Sequence, residues 1–289
     1  MLEELIEEAS KTGLELHSGK TKAMNNDPEN RGGTLKLKSG SVELLAHDGA
    51  ADYLGRRLCC HSSTTVDIKN RLDKAWKKFF ALKSDLCGRH ASLRSRLKLF
   101  EATVTPTLLY GSGSWTMTAE RERTLRTAQR RMLRWMLGSF WARPQEEASQ
   151  TSSSETDSDE PDDSESDGKE KLQEETWLEW MRRCTHSAEE HLKKASIEDW
   201  VLAQRRRKWR LAGHTARRED HRWSETMLGW QPLRGFRAQG RPCKRGIDDL
   251  DSFFYCRDGL PTWVWKAVAQ DRREWQSLED EFVATAWRM

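Results

Sequence analysis

Between Glu146 and Glu175 the chain holds 13 carboxylates against two lysines, and its only aliphatic side chains there are Ala148 and Leu172. Such a stretch cannot bury enough apolar surface to offset the entropy of ordering its backbone, so 144–175 reads as a disordered acidic linker. The rest of the 289 residues must therefore condense as blocks on either side of it. The linker also hides a charge asymmetry. It carries −11, so a whole-chain charge of +3 leaves +14 on the remainder, a balance suited to a polyanion.

The first block begins with an acidic amphipathic helix over 1–12, with Leu2, Leu5, Ile6 and Ala9 on one face. "TLKLKSG" and "SVELLAHDG" read as two strands around a Ser-Gly turn and "ADYLGRRL" as a third, a small antiparallel patch unable to fold alone. From Thr64 the period becomes helical. Leu72, Trp76, Phe79, Phe80 and Leu86 form one stripe, and Leu93, Leu97, Phe100 and Val104 a second, which Pro106 interrupts or kinks. Thr118 caps a third helix carrying Leu125, Met132, Leu133 and Met136, with six arginines between residues 121 and 134, and it stops at Gly138. Beyond the linker lie ten of the 14 tryptophans, enough large apolar surface for a separate core. Helices are expected near 175–194, 196–213 and 261–284, with an irregular Gly/Pro/Arg-rich stretch at 229–246. The fold class is mainly α with a small antiparallel β patch.

Several chemistries are excluded. No apolar run is long enough for a transmembrane helix, and the acidic N-terminus lacks the basic-then-apolar order of a signal peptide. Six cysteines at no framework spacing point to a reducing intracellular compartment, cytoplasm or nucleus. His186 and His191 with Cys184 do not make a standard zinc set, and neither do Cys243 and Cys256. No phosphate-cradling glycine loop or nucleophile–base arrangement is present.

Eight segments, in order, resemble the downstream part of a non-LTR (LINE-type) retrotransposon reverse transcriptase. "GLELHSGKTKAM" resembles the element after the catalytic hairpin of the palm, and "DYLGRRL" the block leading from palm to thumb. "IKNRLDKAWKKFFAL", "LRSRLKLFEATVTPTLLYGSGSWTMT" and "AQRRMLRWMLG" resemble the thumb helices. "RRRKWRLAGHTARREDHRW", "GRPCKRGIDDLDSF" and "VAQDRREW" resemble the family's tail. His17 stands where the family usually has Asn, and Gly246 where it usually has Trp. The resemblance implies a palm remnant with a primer-grip-like block at 1–60, a helical thumb-like domain at 61–143, the linker, and a basic Trp-rich helical tail domain at 176–289.

The resemblance also implies a catalytic deficit. Family polymerases hold two Mg2+ ions on aspartates that precede this region, so this chain alone is expected to be inactive as an RNA-directed DNA polymerase and to need no cofactor of its own. Asp248 and Asp249 read as helix-start or tail residues. Lys20 matches the family's general-acid lysine, with Lys22 beside it, and is otherwise a surface lysine. Tyr53, Gly55, Arg56 and Arg57 fall in the primer-grip-like block, where Tyr53 and Leu54 could equally be a strand end closing the palm–thumb joint.

The basic span 205–245 holds 13 Lys/Arg against three acids. Its candidate phosphate contacts are Arg205, Arg206, Arg207, Lys208, Arg210, Arg217, Arg218, Arg241, Lys244 and Arg245, with Trp209, Trp223 and Trp230 interleaved as stacking or core residues. The expected partner is RNA or DNA, not a membrane; the oligomeric state does not follow from the sequence. Three readings remain open: a reverse-transcriptase fragment, a stand-alone nucleic-acid-binding module, and a decayed reading frame.

Overall fold

A computed structural model describes residues 2–25, 27, 29–38, 40–60, 63–138, 176–218, 244–259 and 263–285. The acidic linker and most of the Gly/Pro/Arg-rich stretch, with Arg241, Trp223 and Trp230, lie outside the described residues.

The chain opens with α1 (Leu2–Lys11) and β1 (Lys22–Ala23), then the hairpin β2 (Gly33–Leu37) and β3 (Gly40–Leu44). The sheet order is β1-β3-β2, with β2 and β3 antiparallel as expected and β1 added in parallel through two residues. "ADYLGRRL" is not one strand but a second hairpin, β4 (Ala50–Tyr53) and β5 (Arg56–Cys59), in which Tyr53 pairs with Arg56. The two-residue turn between them requires positive φ at both Leu54 (47°) and Gly55 (79°), the geometry that matches strand twist in a tight hairpin. Glycine adopts it freely, whereas Leu54 is strained there.

Helices follow: α2 (Ser63–Ala81), α3 (Lys83–Cys87), α4 (Leu93–Leu108), a 3-10 turn (Ser112–Ser114) and α5 (Ala119–Leu137). Thr118 caps α5 by accepting from the Arg121 amide, as read from sequence. Pro106 does not break α4, which runs two residues past it. At the end of a helix the missing donor removes one bond near a terminus that is already relaxing. After the linker come α6 (Trp177–Lys194), opened by the Thr176/Glu179 capping box, and α7 (Trp200–Ala216). The expected long helix at 261–284 is three short ones, α9 (Val264–Val268), α10 (Arg272–Ser277) and α11 (Glu279–Ala284), preceded by α8 (Asp248–Asp258). Asp271 explains one break, because its carboxylate accepts from the amides of Arg273 and Glu274 and starts a new helix.

Two apolar cores form, and their boundary is not the linker. Phe79, Phe100, Leu108, Trp115, Leu125 and Met132 from α2, α4, the hinge and α5 share the first core with Ala188 and Leu192 of α6 and Trp200 and Val201 of α7. The second joins Trp209 and Ala212, farther along α7, to residues of α8 to α11. Helix α7 therefore belongs to both. Phe80 departs from its expected stripe: it is 48% exposed, and Ile68 and Ala75 are buried on α2 instead.

One buried carboxylate joins the second hairpin to the helices. Asp67 of α2 accepts from the Arg56 guanidinium (Nε 2.9 Å), the Arg57 amide (3.2 Å) and the indole of Trp115 (2.8 Å). Tyr110 donates to the Leu54 carbonyl (3.2 Å) while the Arg71 guanidinium lies over its ring. Both anchors in "YGSGSW" thus hold the hinge against α2 and the hairpin. Removing the carboxylate strands an indole donor and an arginine together. Asp67→Ala should lower unfolding stability by about 3 kcal/mol, seen as an earlier denaturant midpoint, and Trp115→Phe by about 1 kcal/mol.

Candidate nucleic-acid interface

Residues 204–208, "QRRRK", face mainly inward. Gln204 donates to the Ser112 carbonyl (3.1 Å), Arg207 to that of Leu109 (2.6 Å) and Lys208 to that of Trp115 (3.5 Å). These carbonyls lie around the 3-10 turn, where those of Leu109 and Ser112 also accept from the Ser112 and Trp115 amides (3.2 and 3.0 Å), so three side chains of α7 tie it to the segment between α4 and α5. Arg205 donates to the carbonyls of Val283 (3.2 Å) and Thr285 (2.6 Å) and pairs with Glu122 of α5 (2.8 Å). Arg206 pairs with Glu198 (3.0 Å), Glu279 (2.9 Å) and Asp280 (2.9 Å), which hold its guanidinium charged well above the usual range, Glu198 foremost.

Within the 205–208 run expected to contact phosphate, Arg205 and Lys208 are buried with their charges balanced or hydrogen-bonded inside the fold, Arg206 is half-buried and Arg207 exposed. Periodicity could not separate these cations from a solvated face, because their partners come from residues up to 98 positions away. Lys208 pairs with Asp249 of α8, which also pairs with Lys244. Burial pulls the Lys208 ammonium below its ordinary range and Asp249 opposes that. A carboxylate clasped by two ammonium groups is a structural pin, consistent with Asp249 being no polymerase aspartate.

The three tail motifs form one packing unit. Trp209 and Trp275 stack at 3.7 Å, and each indole donates to the other's backbone carbonyl (2.9 and 3.1 Å). A Cβ on Gly213 would come within 2.3 Å of Trp275, so the "AG" after Trp209 is a clearance for that stack. Trp209 and Trp275 are thus core residues. Asp249 brings the third motif to the same helix.

The remaining candidates scatter. Arg210 is largely exposed with Nε on Glu279 (2.9 Å), Arg217 donates to the Ala269 carbonyl (2.7 Å), and Arg218 bonds His214 (2.9 Å). Arg245 donates its backbone amide to the Asp248 carboxylate (2.7 Å), and its carbonyl accepts from the Asp248 amide (3.3 Å). Lys20 is exposed, and Lys22 pairs with Glu43 (2.8 Å). The Tyr53–Arg57 tip belongs to the other hairpin, and among the described residues no hydrogen bond or ion pair joins it to Lys20 or Lys22. At the tip Arg56 is taken by Asp67 and the Gly55 carbonyl by Arg71 (2.7 Å) and Lys74 (3.0 Å). Tyr53 and Leu54 are 62% and 74% exposed, and the Leu54 carbonyl accepts from Tyr110 (3.2 Å).

A surface not singled out from sequence lies across α2, α3 and α5. Trp76 stacks on Phe80 (5.5 Å between ring centres), and Trp135 meets Phe80 edge-on (5.6 Å). Arg131 lies over Trp76 (5.6 Å) and Lys83 over Trp135 (5.3 Å). Leu72, Trp76, Arg123, Thr127 and Arg131 line a groove of about 320 Å³ with no acidic residue in its wall. Helix α5 divides its arginines: Arg126 and Arg130 pair with Asp199 and Glu189, and Arg134 reaches Thr185, while Arg123 and Arg131 form no ion pair among the described residues. Lys69 and Lys77 of α2 likewise project outward without an ion pair among the described residues. The missed signal was the four-residue spacing of Trp76 and Phe80 with lysines between, which reads as core until neighbouring helices are placed.

Among the described residues no group of three or more His, Cys, Asp or Glu side chains converges on a metal position. No described helix is long and apolar enough to cross a membrane. The chain is 28% identical over 286 residues, 96% of its length and 87% of the relative's, to an uncharacterized transposon-derived protein, F52C9.6, of Caenorhabditis elegans. No protein-family profile and no solved structure matches it.

The lysine pin gives a test of the inward reading. Lys208→Met should destabilise by about 3 kcal/mol by leaving Asp249 underpaired in the interior, and adding Asp249→Leu should recover much of that loss in denaturant titrations.

Proposed function

We propose that the chain derives from a transposon of the non-LTR reverse-transcriptase kind and that it binds RNA or DNA through the α2–α3–α5 face. Similarity to a transposon-derived protein supports the transposon origin, and the ordered sequence blocks support the finer assignment. The observation that carries the binding reading is the Trp76–Phe80–Trp135 strip, with Phe80 exposed and both indoles half-buried, and with Arg131 and Lys83 on the tryptophan rings. Alternating rings and cations offer stacking for bases and charge for phosphates, a combination that tolerates sequence and favours single strands. Tyr53 and Arg57 at the hairpin tip and Arg245 are secondary contacts in this reading. Binding, rather than synthesis, is the activity these residues supply.

Titration of the full chain with a labelled single-stranded oligonucleotide should show affinity falling steeply with salt. Trp76→Ala should weaken binding about tenfold, in line with the loss of one stacked base. Lys83→Ala with Arg131→Ala should weaken it further and flatten the salt slope by about two charges. Unchanged affinity in all three variants contradicts the assignment.

A further inference from the structure

The second core carries a cavity that neither packing nor the α2–α5 face explains. Arg210, His214 and Arg217 follow one another at helical spacing along α7, and Arg272 and Gln276 lie one turn apart on α10 opposite them. The two helices are held in register by the Trp209–Trp275 stack, and Trp275 floors the cavity, whose volume is about 330 Å³. Arg218 adds a further cation through its bond to His214.

The charge balance of this cavity is one-sided. Among the described residues Glu279 is its only carboxylate wall, and it is already shared by Arg206 and Arg210. Asp271, next to Arg272, has an oxygen committed to the amides of Arg273 and Glu274, and exposed Asp280 pairs with Arg206. Arg217 uses one nitrogen on the Ala269 carbonyl and keeps its positive charge. Arg272 is exposed and has no hydrogen-bond or ion-pair partner among the described residues. A guanidinium carries five donors, so Arg210, Arg217 and Arg272 retain unused N–H groups around a space lined also by a histidine and an amide.

We propose that the Arg210–His214–Arg217–Arg272 cavity is a binding site for a single phosphate group. Guanidinium groups suit phosphate because their paired N–H donors match two of its oxygens, and the fixed helix pair positions them before the ligand arrives. The group can come from free phosphate, from a nucleic-acid 5′ end or from a backbone diester. The site is separate from the α2–α5 face and does not depend on that face binding nucleic acid.

Phosphorus NMR of inorganic phosphate with the full chain should show line broadening that Arg272→Ala reduces, with an affinity about tenfold weaker, and that Arg272→Lys partly retains. Arg272 is exposed and unpaired among the described residues, so its loss leaves the fold intact, which circular dichroism would verify. Equal-length oligonucleotides with 5′-phosphate and 5′-hydroxyl ends separate the sources. Arg272→Ala weakening only the phosphorylated strand identifies an end phosphate, and weakening both identifies a backbone diester; either result supports the site. A Lys83→Ala, Arg131→Ala chain should bind inorganic phosphate normally, so failure of the α2–α5 reading is seen separately. Wild-type chain that leaves the phosphate signal sharp, or Arg272→Ala that broadens it as the wild type does, overturns the proposal.

Discussion

Three side chains of α7, Gln204, Arg207 and Lys208, donate to backbone carbonyls of the hinge between α4 and α5, and much of the fold is arranged around that contact. The Leu109 and Ser112 carbonyls also accept from the amides of Ser112 and Trp115 (3.2 and 3.0 Å), so Arg207 and Gln204 add second donors there, and Lys208 supplies the Trp115 carbonyl. A hydrogen bond from a charged donor contributes about 1.5–3 kcal/mol, which ties α7 to the turn. This part of α7 carries four consecutive cations. Asp249 pairs with Lys208, and Glu122, Glu198 and Glu279 pair with Arg205 and Arg206, from elements before and after α7 in the chain. The result is that residues on both sides of the acidic segment share one core, with α7 continuing into the other.

The same logic decides where binding chemistry can lie. A cation that already holds a carboxylate and a carbonyl in the interior cannot neutralise a phosphate without releasing them. The density of Lys/Arg along residues 205–208 is therefore a poor guide to an interface. Cations on α2, α3 and α5 meet the opposite condition: Lys83 and Arg131 lie over the half-buried rings of Trp135 and Trp76, and Lys69, Lys77, Arg123 and Arg131 have no ion pair among the described residues.

What was legible in the sequence follows from the range of the interactions. The capped start of α5, its end at Gly138, the β2–β3 hairpin and the α6 and α7 helices are set by local signals, and residues a few positions apart determine them. The Gly and Ser residues of "YGSGSW" are a local turn signal, but nothing near them in the chain marks its carbonyls as acceptors for α7. The break of the last long helix at Asp271 was within reach, since an Asp followed by free amides is a helix-start signal. The inward course of Arg205 and Lys208, by contrast, depends on Glu122 and Asp249, which are 83 and 41 positions away. Only packing brings such partners together, so charge counting alone assigned those residues to a partner outside the molecule. The tail motifs were legible as blocks, while their common purpose, a mutual tryptophan stack with Gly213 as clearance, required the fold.

The proposed contact with nucleic acid runs through the α2–α5 face, where Phe80 is exposed and Trp76 and Trp135 are half-buried, and not through the cation-rich middle of α7. Ultraviolet cross-linking of the full chain to a single-stranded oligonucleotide, followed by mass spectrometry of the adducts, reads this out by residue. The account predicts adducts on peptides containing Trp76, Phe80 or Trp135. Adducts confined to the 200–210 peptides, with none on α2 or α5, would contradict it.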